Sequence, residues 1–88
     1  MNAAAPQGPA ELGRLLASAR GYRVVAHGGA PLGVVERVRY EQQVSRPDEI
    51  VVCDRSFLRR RRARLLPFAA VAAINVREST VVLRPDAA

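Results

Sequence analysis

The 88 residues predict a mostly β fold, a small five- to six-stranded β-barrel with one short N-terminal α-helix. Short β-branched runs alternate with turn residues through most of the chain, as in small barrels and sandwiches. One stretch of helical periodicity stands ahead of them. Length and an apolar fraction of 49% fit one domain around one core. With two Tyr, two Phe and no Trp, that core must be built from Val, Leu, Ile and Ala. Small cores of this kind have thin stability margins, often strengthened by self-association.

Residues 1–9, "MNAAAPQGP", carry no periodicity and read as a disordered tail. Over residues 10–21, Leu12, Leu15, Leu16 and Ala19 recur at i, i+3, i+4 and i+7, one face of an amphipathic helix. Pro9 suits its start and Gly21 a left-handed stop; Glu11 and Arg20 complement the two ends of the helix dipole. About three turns are not stable alone, so these leucines must dock on the domain or on a second copy.

Residues 22–85 form the β domain. "YRVVAH" and "LGVVERVRY" make a hairpin around "GGAP", with Gly28 and Gly29 supplying the positive φ angles of the turn. Strict alternation cannot place Val35, Val38 and Tyr40 on one face, so a bulge is expected near Glu36 or Arg37. "EIVVCD" is a third strand, apolar on both faces, whose outer side the N-terminal helix is expected to cover. "RLLPF" is a fourth, with Leu65, Leu66 and Phe68 anchoring it, and Pro67 opens a tight turn through "FAAVA". "AINV", the turn "REST" and "VVLRP" supply the fifth and sixth strands.

Three of these pieces resemble the PRC-barrel family, named for the photosynthetic reaction-centre H subunit and found also as the C-terminal half of a ribosome maturation factor. They are the hairpin "VVAHGGAPLGVVERV", with its Leu-Gly pair followed by valine, the segment "RLLPFAAVAAI" and the closing "TVVLRP". "HGGAP" stands where the family usually has an Asp-Gly turn. The resemblance implies a β-barrel that serves as a binding or assembly module, in a family whose members are not generally enzymes.

The net charge of +6 is concentrated. Arg55, Arg59, Arg60, Arg61, Arg62 and Arg64 supply six of 14 positive residues, and the other eight are matched by eight acids. A localised patch attracts anions far better than diffuse charge does, so these six are the candidate anion- or partner-binding residues. A run of charges also serves simply as a solvated loop. All 14 are Arg in an Ala-rich chain, a bias that a GC-rich bacterial genome produces without any need for bidentate contacts.

No other constellation carries chemistry. His27, the sole histidine, reads as a strand-end residue, because no nucleophile and orienting acid are nominated beside it. "HGG" lacks the phosphate-loop patterns. Asp48, Glu49 and Asp54 flank the third strand without metal-loop spacing, so no metal or other cofactor is expected. Tyr22, Tyr40, Phe57 and Phe68 are the stacking candidates for nucleic acid, and Tyr40 and Phe68 fall on core positions. Cys53 stands alone in an apolar run, which fits a buried thiol in a reducing compartment. No apolar stretch is long enough for a secretory signal or a membrane span, and the expected location is the cytoplasm.

The function expected is a non-catalytic adaptor or assembly module, its partner another protein or a second copy in a homodimer. The alternative is an RNA- or ribosome-associated protein that places the arginines on phosphates.

Overall fold

The computed structural model describes residues 7–41, 47–54 and 63–86. Arg55, Phe57 and Arg59 to Arg62 lie outside the described residues, as do positions 1–6 of the expected tail.

The chain runs α1 (Pro9–Leu16), β1 (Arg23–Val25), β2 (Pro31–Arg39), β3 (Glu49–Cys53), β4 (Ala63–Pro67), a 3-10 turn (Phe68–Ala70), β5 (Val71–Asn75) and β6 (Thr80–Leu83). All six strands belong to one sheet, in the order β4-β3-β2-β1-β6-β5. Neighbours are antiparallel except β1 and β6, which run parallel. The fold is therefore mostly β with one short helix. The sheet is open: β4 and β5 are its edges, with no ladder between them, and closure into a barrel is not seen.

The sheet nevertheless has to coil. Flat, its two edges would lie roughly 24 Å apart, five strand spacings of about 4.8 Å. Yet β4 ends at Pro67 and β5 begins at Val71, four Cα steps that reach at most about 15 Å. The 3-10 turn bridging the edges is held from both sides. The Phe68 N–H donates to the Asp48 carbonyl ahead of β3 (2.9 Å). From the end of β6, Arg84 donates its N–H to the Ala70 carbonyl (2.8 Å) and its Nε to that of Ala69 (2.8 Å).

The coiled sheet and α1 enclose one core. Leu12, Leu16 and Ala19 pack with Val24, Val35, Ile50, Val52, Leu66, Phe68, Val71, Ile74, Val81 and Leu83. The helix thus lies on the core side of β3, with Ile50 and Val52, while Val51 and Cys53 stand outside this cluster though buried. This corrects the expectation that α1 covers the outer face of β3. Coiling leaves a concave side that must be filled, and α1 fills it.

The helix is also shorter than 10–21. It ends at Leu16, and Ser18 and Ala19 donate to Leu15 and Leu16 in tighter i→i−3 bonds. Gly21 has the expected positive φ (89°) but closes the following turn, where its N–H donates to Val35 (2.8 Å). Of the two turn glycines, Gly28 and Gly29, only Gly29 has positive φ (98°). The predicted bulge is present: the β2–β3 register shifts between Val35 and Arg37, so Val35 is buried and Val38 packs against the core. Tyr40 is not a core residue. It lies just past the end of β2 and is 40% exposed.

Candidate functional site

Of the six candidate arginines, Arg64 alone falls within the described residues. It is exposed on β4, opposite Val52, and with Asp54, Ala63 and Leu32 it lines a cleft of about 280 Å³. The arginines elsewhere are partly occupied. Arg39 meets Glu41 at 2.6 Å and Glu49 at 3.5 Å, and Arg14 meets Glu11 at 3.7 Å. Arg23 donates to the Thr80 hydroxyl at 3.4 Å. The exposed ion pairs of Arg14 and Arg39 hold local geometry more than they stabilise the fold.

The strand that carries Arg64 has a definite polarity of its backbone. The Phe68–Asp48 bond and the unbroken β3–β4 register fix the alternation of an antiparallel ladder. Arg64 and Leu66 direct their N–H and C=O groups to β3, and Ala63, Leu65 and Pro67 direct theirs outward. Pro67 has no N–H, so it fits an outward position on an edge strand at no loss of a ladder bond.

Side chains alternate along the same strand. Leu66 and Phe68 enter the core as expected, but Leu65 does not anchor β4: it is 52% exposed on the other face, in a row with Val51 and Arg37. The "RLLPF" run hides this alternation because both leucines look alike until one face is known.

The opposite edge is treated differently. The Gln7 side-chain amide donates through Nε2 to the Ile74 carbonyl (3.0 Å), and its Oε1 accepts from the Ile74 N–H (2.8 Å). The amide imitates one residue of an added strand, where β5 would otherwise present bare groups. It sits in an open groove of about 620 Å³ between α1 and β5, lined also by Leu15, Ala72 and Val76. Gln7 is thus held against the sheet and Pro9 opens α1, where a tail was expected through residue 9. No sequence signal marks Gln7, because its partner lies 67 positions away.

The remaining candidates are dispersed. Asp48 and Glu49 stand at one end of β3 and Asp54 just past the other, roughly 17 Å along a strand of that length. Among the described residues no three His, Cys, Asp or Glu side chains gather where they could hold a metal. His27 is exposed in the β1–β2 turn. Cys53 is buried, its Sγ 3.9 Å from the Asp54 carbonyl oxygen. Of the stacking candidates, Phe68 is in the core, Tyr22 packs against it and Tyr40 faces solvent. No described helix is long and apolar enough to cross a membrane.

No protein-family model matches the chain, and no curated protein matches it.

Proposed function

We propose that the chain is a non-catalytic adaptor or assembly module of a bacterial cytoplasm, a PRC-barrel-like domain that binds another protein through the surface around β4. The observation that carries this reading is the combination at Leu65. A large apolar side chain is half exposed on a strand whose outward N–H and C=O groups point away from the sheet. Exposed apolar edges of that kind invite pairing with a partner's backbone. The resemblance of the hairpin and of "RLLPFAAVAAI" to the PRC-barrel pattern, and the coiling that the short β4–β5 link demands, support the barrel-like part of the reading.

A photo-crosslinking residue introduced at position 65 tests it. A trapped protein band that disappears when Arg37 or Leu65 surroundings are made acidic supports the adaptor reading, and trapping of nucleic acid alone overturns it.

The second reading is contact with RNA phosphates through Arg55, Arg59, Arg60, Arg61, Arg62 and Arg64. It is favoured by the concentration of six arginines in ten residues and by the exposure of Tyr40 and Arg64. A titration against mixed short RNA at two salt concentrations separates the readings. Binding that falls steeply with salt and vanishes in the Arg60→Glu/Arg61→Glu double variant supports RNA, and absence of binding at low salt retires it.

A further inference from the structure

We infer that β4 is the interface through which two copies of this chain pair, edge to edge, about a two-fold axis at Leu65. The inference rests on the reading of β4 as protein-facing and names the partner. An antiparallel second β4 with Leu65 opposite Leu65 is in phase with the outward groups of both strands. Each Leu65 N–H then meets the other Leu65 carbonyl. Each Ala63 N–H meets the other copy's Pro67 carbonyl; Pro67 has no N–H to return to the Ala63 carbonyl, so four bonds form and the ladder ends there.

Side chains fit the same register. Arg64 stands beside Leu66 of the second copy and not beside its own counterpart, so the strand opposes no like charges. On the outer face the row Arg37, Val51, Leu65 continues into Leu65, Val51 and Arg37 of the other copy, covering the side chain that is 52% exposed in one chain. The product is a continuous twelve-strand sheet, two copies of the six. The β5 edge is unsuited to the same pairing, because the Gln7 amide already occupies both backbone groups of Ile74.

Charge makes the inference distinctive. Each copy carries +6, so repulsion opposes association and salt should tighten the dimer. Phosphate binding through the arginines would weaken with salt.

Sedimentation equilibrium of the full chain over a wide concentration range, at low and high salt, tests it alongside Leu65→Lys and Leu65→Pro. The proline removes an outward N–H and leaves the bonds from β4 to β3 intact; the lysine leaves the backbone alone and puts a charge on the axis. The expected result is a wild-type dimer that tightens with salt and a dissociation constant raised at least about tenfold in both variants, with far-ultraviolet circular dichroism unchanged. If the proline disturbs folding, the lysine variant decides. A wild-type monomer at every concentration, or a dimer indifferent to both variants, overturns the inference. In the first case, crosslinking from position 65 to a different protein would leave the adaptor reading standing, and no crosslinked protein would remove both.

Discussion

Gly33 shows how much a single position can decide. Its φ is 147°, and a Cβ built there would collide with the carbonyl oxygen of Cys53 and crowd Val52 Cγ1 (3.1 Å). The strands β2 and β3 approach so closely at this point that only glycine fits, which gives the Leu-Gly pair at the start of β2 a physical meaning. Gly33→Ala is expected to destabilise the chain by about 2–4 kcal/mol, from strain and overpacking together, read as a lower urea midpoint with unchanged m-value. Gln7→Ala removes two bonds to Ile74 and bares the β5 edge. It should cost about 1–2 kcal/mol and slow-exchanging protection at the Ile74 amide, measured by hydrogen exchange. In the sequence Gly33 stands out only as part of the Leu-Gly pair; the close approach that requires it exists only once β2 and β3 are paired. The role of Gln7 was not legible there either, since it exists only through a contact made across the fold.

At the scale of elements, α1 and β4 divide the leucines between core and solvent. Leu16 is fully buried among strands from both halves of the sheet, so Leu16→Ala should cost about 2–5 kcal/mol in a chemical denaturation series. Leu65→Ala, changing the same side chain on an exposed face, should stay within about 0.5 kcal/mol in the monomer. Near-equal effects of the two substitutions would show that the assignment of inner and outer faces is mistaken. The helical face itself was legible from the spacing of Leu12, Leu15, Leu16 and Ala19, and so was the bulge that lets Val35 and Val38 share a side. The end of α1 was not, because the chain leaves the α-helix at Leu16 in tighter bonds that carry Ala19 into the core.

For the whole molecule, the excess charge and the core are separable. The substitutions Arg60→Glu and Arg61→Glu alter a run of charge outside the apolar pattern, so the thermal midpoint is expected to move by no more than about 4 °C. A larger fall would show that the run supports the fold, and anion binding would then have to be tested with milder Arg60→Gln and Arg61→Gln changes. The sheet's two edges differ: on β5 the Gln7 amide occupies both backbone groups of Ile74, and beside β4 no strand pairs with Ala63, Leu65 and Pro67.

Composition, periodicity and turn residues were enough to establish a mostly β chain with one helix, the succession of five or six strands along it and the position of its bulge. These depend on local preferences and on a two- or 3.6-residue repeat, which are written along the chain. Which leucine of "RLLPF" turns outward, where the helix packs and which edge stays open were settled by packing. Each depends on pairings between distant segments, such as β1 with β6 and Gln7 with Ile74, and on the coiling forced by the short link between the two edge strands. The helix therefore buries Leu12 and Leu16 within its own chain, and Leu65 is left half exposed on β4.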